Sequence, residues 1–397
     1  MLVLIITAFV DMVGLLMILP LMPFYARSFG ASALMVTLLI GSFTAAQLIS
    51  APLWGRFSDR YGRRPALLVG LGAAAIAYIV FAFSNSLWLL LVSRVVQGAG
   101  GGTVGVIQAY VADATDVKNR ARALGWLSAA TNVGVALGPP LGSLALLAGP
   151  SGPGLVAAAL CMTNMLFAWK FLSESREIEG DPKQHVKKPR ASRQALAYVI
   201  THAREPGPRL IWIYAIAMGA FSGMSAILAL FLMDRFGVTE RRVWIFFTYI
   251  GTISVITRAG VLGWAVDKFG EAQLSRIGLV LLSMGLVSFP FVHNYMLLAL
   301  AIACIPLGTA FTFPCVTSLL SRVIPANERG LYMGVQQAYG GMARVIVPLW
   351  AGWSYDHLGR NVPFITSAIL VIGTIFLNLG IDDGRKVKTT DVVEAAV

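Results

Sequence analysis

Charge is scarce in this sequence. Only 13% of its 397 residues are Asp, Glu, Lys or Arg, and 57% are hydrophobic. Soluble domains carry about 25% charged residues, so a soluble globular fold is excluded. Cysteine is nearly absent too. Cys161, Cys304 and Cys315 all lie in apolar runs, odd in number and without metal-ligand spacing, which points to core packing and not to a disulfide framework or zinc site. The four histidines (His185, His202, His293, His357) fall in loops or at the edges of apolar runs, so a proton carrier within such a run would have to be a carboxylate. No G-x-x-x-x-G-K-[ST] occurs, which removes an ATP-driven pump contained in the chain. Gly100-x-Gly102-x-x-Gly105 satisfies the dinucleotide spacing, but inside an apolar run with no preceding strand and no acid placed for a ribose. Gly98 and Gly102 read instead as a helix-packing pair. No cofactor and no metal is expected.

What the chain has is long apolar segments, near 2–25, 34–55, 66–84, 86–114, 122–147, 154–172, 208–234, 242–263, 274–292, 295–322, 330–356 and 361–381. Each can cross a ~30 Å hydrocarbon core at ~20 residues per span. The 40 Gly and 18 Pro are spread through these segments, as in membrane helices, where neighbouring helices re-satisfy the backbone. The fold class is an all-α polytopic membrane protein of twelve transmembrane helices. No charged n-region or cleavage site precedes the first run, which is expected to be a retained span.

The net charge of +12 is topological. With the amino terminus in the cytoplasm, the opposite side holds Arg27, Arg235, Arg241, Arg242 and Arg360, three Arg lie inside spans, and the remaining 23 of 31 Lys and Arg are cytoplasmic. The positive-inside rule then places both termini in the cytoplasm. The basic residues follow the lipid bilayer of a cell (inner) membrane and are no nucleic-acid footprint.

The chain repeats itself. GRFSDRYGRR (55–64) and GWAVDKFGEA (263–272) share Gly, Asp, a basic residue, an aromatic and Gly at an offset of 208, while Arg120, Gly125 and Pro139 fall on Arg329, Gly334 and Pro348 at 209. Two matches at nearly one offset indicate a duplicated six-helix unit, the parallel-repeat plan of a secondary transporter. The expected organisation is a first half over 1–172, a cytoplasmic linker over 173–207, a second half over 208–381 and a cytoplasmic tail over 382–397.

GRFSDRYGRRP matches the signature G-x-x-x-D-R-x-G-R-R, SRVVQG occupies the fourth span, and VGVALGPPLG resembles the antiporter motif G-x-x-x-G-P-x-x-G. With DMVGLLMILPLMP (11–23) and AYVADATDVKNRARALG (109–125), these make the whole chain resemble the major facilitator superfamily, and within it the twelve-span drug:proton antiporters, tetracycline-efflux proteins among them. That resemblance implies two halves that rock about a midplane site, and a cytoplasmic cluster that latches the outward-facing state. The latch residues would be Gly55, Asp59, Arg60, Gly62, Arg63, Arg64, Asp113, Arg120 and Arg122, with Asp267 and Lys268 in the second half. Gly55 and Gly62 suit a tight turn. Asp59 suits a helix N-terminus of the other half, worth ~0.3–1 kcal/mol, and Arg60, Arg63 and Arg64 are placed to pair with Asp113. Topology-setting charge is the plainer explanation of the same residues. Gly134, Gly138 and Gly142 with Pro139 allow close, bendable helix packing. At positions where tetracycline-efflux proteins carry polar or charged residues, this chain has Ala77, Ser254 and Leu282, so the likeness covers the scaffold and not that substrate.

Four charges lie well inside spans: Asp11, Arg94, Arg258 and Arg344. None is duplicated, because Asp11 corresponds to Ala220, Arg94 to Ala303, Arg344 to Val135 and Arg258 to Ile49 or Ser50. A charge at the bilayer centre costs at least ~2.5–3.5 kcal/mol on insertion scales, so each needs water or a partner. At 1.5 Å per residue, Asp11 lies roughly 15 Å and Arg94 roughly 18 Å from the cytoplasmic face, which makes them expected partners. Burial favours the protonated carboxyl and a nearby guanidinium the ionised one, so Asp11 with Arg94 is the expected proton-coupling pair; a static ion pair is the alternative. Arg258, Arg344, Tyr25, Trp126, Phe221, Tyr249 and Tyr339 are expected at the substrate cavity, although such aromatics are also common packing or belt residues. With Asp11 ionised the four charges sum to +2, favouring a substrate with an anionic or hydrogen-bond-accepting group.

The expected function is proton-coupled export of a small amphipathic compound by a monomer with no enzymatic activity. A uniporter or importer on the same scaffold, or a membrane receptor or assembly subunit that does not transport, would share most of these features.

Overall fold

The computed structural model describes residues 1–115, 117–174, 189–325 and 327–381, and all regular structure among them is helical. In chain order the helices are α1 (Leu2–Ile18), α2 (Met22–Ser28), α3 (Ala33–Tyr61), α4 (Arg63–Ala82), α5 (Leu87–Gly100), α6 (Thr103–Ala114), α7 (Val117–Ala145) and α8 (Gly152–Phe171). There follow α9 (Pro189–Thr201), α10 (Pro206–Phe236), α11 (Trp244–Ile256), a π-turn (Thr257–Val261), α12 (Leu262–Phe269), α13 (Glu271–Ser288), α14 (Tyr295–Val323), α15 (Arg329–His357) and α16 (Val362–Asn378). Ten spans are long and apolar enough to cross a bilayer, some built from two consecutive helices, and α16 adds a shorter apolar one. The remaining expected segment, 330–356, lies within the 29-residue α15. Helices are the natural solution here because lipid offers no partner to an unpaired backbone amide or carbonyl.

Local chemistry sets many of the boundaries. Ser32, Ser86 and Asn294 cap α3, α5 and α14, each accepting from the amide three residues on, which satisfies a donor the helix leaves orphaned. Pro20 and Pro23 coincide with the break between α1 and α2, as expected of residues without a backbone donor. Gly62 ends α3 and opens α4 at φ +99°, and Gly270 makes the corresponding turn before α13 at φ +78°. Gly55 corrects the sequence expectation. It lies inside α3, not in a turn, and a Cβ there would meet nothing within 4 Å.

Packing divides the described residues into two compact units, one within Met1–Gln184, Ser222–Val255 and Arg344–Pro363, the other within His185–Phe221, Ile256–Ala343 and Phe364–Val397. In the first, α7 lies directly on α1. A Cβ on Gly134 would come within 2.7 Å of the Phe9 carbonyl oxygen, one on Gly138 within 2.6 Å of Leu16 Cβ, and one on Gly142 would collide with the Met17 carbonyl. Between lipid-facing helices van der Waals fit replaces the hydrophobic effect as the main attraction, and these glycines provide that fit. In the second unit α13 and α14 pack by the same means, with Gly278 against Thr312 and the Gly308 carbonyl. Tail residues 382–397 and linker residues 175–188 lie outside the described residues.

Candidate functional site

The fourth span is broken. Between α5 and α6 the chain leaves helical geometry at Gly101 and Gly102, in the glycine run the sequence marks. Side chains of α3 satisfy the carbonyls around the break: Gln47 Nε2 donates to Gly101 O at 2.9 Å, Ser50 Oγ to Gly98 O at 3.3 Å and Trp54 Nε1 to Ala99 O at 2.5 Å. Gly98 and Gly102 pack tightly against α3, on Phe43 and Trp54, as the packing-pair expectation has it. Irregular backbone at membrane depth is tolerated where side chains re-satisfy it or where it lines a cavity, and both conditions hold here.

A cavity of ≈ 30 Å³ opens beside the break, lined among others by Asp11, Gln47, Gln97 and Thr103. Asp11 is half-buried, and the Thr103 hydroxyl donates to its Oδ2 at 3.3 Å. Arg94 is not its ion-pair partner. Among the described residues Arg94 forms no salt bridge; it is 1% exposed, with its guanidinium carbon 5.7 Å from the Phe81 ring centre. Its Nε and Nη2 find no hydrogen-bond acceptor among the described residues. The acid and the base therefore share a helical unit, but not a contact. Sequence reasoning missed Thr103, Gln97 and Tyr78, whose hydroxyl accepts from Gln97 Nε2 at 2.6 Å. Uncharged side chains give no signal against an apolar background, although the Q of SRVVQG was in view.

At the linker-side turn the latch residues divide. Among the described residues Arg63 alone takes Asp113, at 2.9 Å, while also meeting Asp59 at 2.9 Å and donating to Ser58 Oγ. Arg64 donates to the Trp169 carbonyl, and Arg60 stacks on Tyr61 at 5.3 Å, so the expected three-arginine pairing with Asp113 reduces to one. The turn has a partner the sequence did not suggest. Glu174 accepts from the amides of Arg63 and Arg64 at 2.8 and 3.0 Å, an anion on a helix N-terminus. A Cβ on Gly62 would stand 2.5 Å from this carboxylate. Arg122 is exposed, and the side chain of Arg120 lies outside the described residues.

In the second half Asp267 is exposed, and Lys268 lies over the rings of Trp264 and Phe269 at 5.0 and 5.4 Å. The ion pair there is another one. Glu271 accepts from Arg322 at 2.7 Å and from Ser318 at 2.9 Å, on positions 208 and 209 residues after Arg63 and Asp113.

The expected cavity residues also separate. Arg258 sits in the π-turn, a form frequent at functional sites, exposed and within electrostatic reach of Tyr214. Tyr214 receives a hydrogen bond from Gln337 at 3.4 Å and packs on Phe313, as Phe221 does. Arg344 is half-buried, and Trp126 and Tyr249 are exposed. Two aromatics are fasteners. Tyr25 donates to the Pro150 carbonyl and meets Phe81 edge-on at 4.9 Å. Tyr339 donates to Leu196 O of α9 at 2.9 Å and packs on Trp212. Their hydroxyls are committed to backbone carbonyls. At the ends of the spans away from the linker, Asp234 gathers Arg27, Arg360 and the Tyr355 hydroxyl, and Asp356 accepts from the first two amides of α3 at 2.9 and 2.8 Å.

A family model described as Major Facilitator Superfamily matches residues 4–348 and 259–394. The class B tetracycline resistance protein of Escherichia coli is 27% identical over 369 residues, covering 92% of this chain and 90% of that protein. Multidrug resistance protein 1 of Bacillus subtilis (strain 168) is 26% identical over 373 residues, covering 92% of each. Among solved structures, the nucleoside transporter NupG superposes with a TM-score of 0.75 over 96% of this chain and 98% of that one, at 13% identity, a likeness of fold.

Proposed function

The chain belongs to the Major Facilitator Superfamily, and from that premise we propose that it is a proton-coupled antiporter exporting a small amphipathic compound. It is a multi-pass membrane protein and a secondary transporter, not an enzyme. The observation that carries the proposal is Asp11, a carboxylate without a counterpart in the second repeat, set with Gln47, Gln97 and Thr103 in a small cavity beside the broken fourth span. Burial favours its neutral form and water its ionised form. A change in its access to water between two conformations therefore loads and unloads a proton. The two halves, 1–172 and 208–381, rock about a midplane site, the protein works as a monomer, and both termini are cytoplasmic, a reading that the distribution of Lys and Arg supports. Relatives named for tetracycline and multidrug resistance support export of an amphipathic compound. The uneven internal charge (Arg94, Arg258 and Arg344 against Asp11) favours cargo with an acceptor or anionic group.

The test is reconstitution into liposomes with a pH-sensitive dye inside, with compounds from a thermal-shift screen at two pH values added outside. Cargo addition drives proton counterflow in the wild type and none in Asp11→Asn. Transport insensitive to the pH gradient makes the protein a uniporter, and undiminished exchange in the variant removes Asp11 from the mechanism.

A further inference from the structure

Gln97 is the buried polar group that the site leaves incomplete. It is 5% exposed, lines the cavity with Asp11, and spends its amide nitrogen on the Tyr78 hydroxyl. Its Oε1 has no hydrogen-bond partner among the described residues. A buried acceptor left unsatisfied keeps its desolvation penalty without compensation, so a donor is called for. Tyr78 is 1% exposed, and its ring lies against α1 at Gly14, where a Cβ would come within 3.0 Å of the hydroxyl oxygen. Gly14 is one helical turn from Asp11, on the same face. The absence of a side chain there lets the tyrosine reach the level of the acid.

The cavity suits a water. Its ≈ 30 Å³ exceeds the ~10–15 Å³ that one water needs, and two to four polar partners are the usual requirement. Asp11, Gln47, Gln97 and Thr103 on its wall supply them. We propose that Asp11 exchanges its proton through a water held between its carboxylate and Gln97 Oε1, and that Tyr78 is the positioning residue that makes Gln97 present oxygen and not nitrogen. An amide whose N–H₂ is tied to the tyrosine oxygen turns its carbonyl the other way. Proton arrival is then H₃O⁺ plus carboxylate giving H₂O plus carboxylic acid. Gln97 Oε1 accepts one O–H of the hydronium before transfer and keeps the water afterwards, and release is the reverse step. Tyr78 keeps its own proton throughout. The titratable groups that feel Asp11 are Tyr78 on α4 and Cys161 on α8, while Arg94 on α5 interacts with Tyr78. Helices α3 and α6 present the neutral Gln47 and Thr103. The water lies next to the acid, and the guanidinium stays on Phe81.

This inference rests on the proton role of Asp11 and is tested without any cargo. Infrared difference spectra of the full-length protein in detergent, wild type minus Asp11→Asn over a pH titration, isolate the carboxyl band and its midpoint. Repeating them in H₂¹⁸O marks bound-water bands by their isotope shift. Gln97→Leu and Tyr78→Phe are each expected to abolish the water band and displace the midpoint by about one pH unit, a shift typical of losing a hydrogen bond to one protonation state. The double variant should be no worse than Gln97→Leu, since residues acting as one unit are non-additive. Tyr78→Phe removes a single oxygen, so it keeps the test open if Gln97→Leu does not fold. An unchanged midpoint and water band in either folded variant overturn the inference and leave Asp11 as carrier. A missing carboxyl band in the wild type minus Asp11→Asn difference overturns the carrier reading itself.

Discussion

Glu271 holds Arg322 at 2.7 Å on the positions where, one repeat earlier, Arg63 holds Asp113 at 2.9 Å. The two halves thus keep the place of the ion pair and invert its sign. Each pair ties the start of one helix (α4 or α13) to the end of the fourth span of the same half (α6 or α14). Only attraction between the two positions is needed for that, and either order of charge provides it.

The inverted pair predicts a rescue. Arg322→Glu places two carboxylates together and should cost about 1 kcal/mol or more, a figure kept low because Arg322 is partly exposed. Adding Glu271→Arg should recover most of the loss in thermal unfolding of detergent-solubilised protein. If the double variant is as unstable as the single one, the sign inversion has no structural meaning.

Helix contact between α1 and α7 gives a second expectation. Gly142→Ala drives a methyl into the Met17 carbonyl, whereas Gly105→Ala meets open space. Overpacking costs ~1–3 kcal/mol, so the first variant should unfold several degrees lower and the second should match the wild type. Equal melting temperatures would show that the two helices separate freely at this point.

Gln47 is predicted to matter through the helix break, not through charge. Replacement by Leu leaves the half-buried Gly101 carbonyl without the 2.9 Å bond it now receives, at about 1 kcal/mol for a lost hydrogen bond. Hydrogen exchange confined to residues around 98–106 should accelerate, while amides elsewhere keep their protection. Unchanged protection around the break would mean another group supplies the hydrogen bond.

Asp356 caps the first turn of α3 from α15. Asp356→Ala loses a charged cap worth ~1 kcal/mol, enough to change a two-state ratio about fivefold. A cysteine placed at Leu34 should then react faster with a water-soluble maleimide. Identical labelling rates in the two backgrounds would show that the carboxylate holds nothing closed.

Much of the molecule was legible beforehand because its signals are one-dimensional. Twelve apolar runs, a 208–209 offset and the GRFSDRYGRRP turn read directly from spacing, and lipid permits few alternatives to helices. The four unduplicated charges stood out because each is costly in hydrocarbon. Uncharged polar residues carried no such signal. Thr103, Gln97, Gln47 and Tyr78 were invisible as a group, since several helices and a break bring them together. Counting residues along the spans put Asp11 and Arg94 at similar depths, but depth says nothing about rotation around a helix axis.

The sequence by itself determined that this chain is a duplicated bundle of membrane helices, that one acid, Asp11, lies well inside a span, and where in each half the signature turn recurs. Only the tertiary structure decided the partners: Arg94 on Phe81 and not on Asp11, Thr103 on Asp11, Glu174 on the signature turn, and Tyr25 and Tyr339 spent on backbone carbonyls. The reason is physical. Hydropathy and spacing fix where along the membrane normal a residue lies, while hydrogen bonds and ion pairs act over about 3 Å, and which groups come that close depends on how neighbouring helices turn and pack.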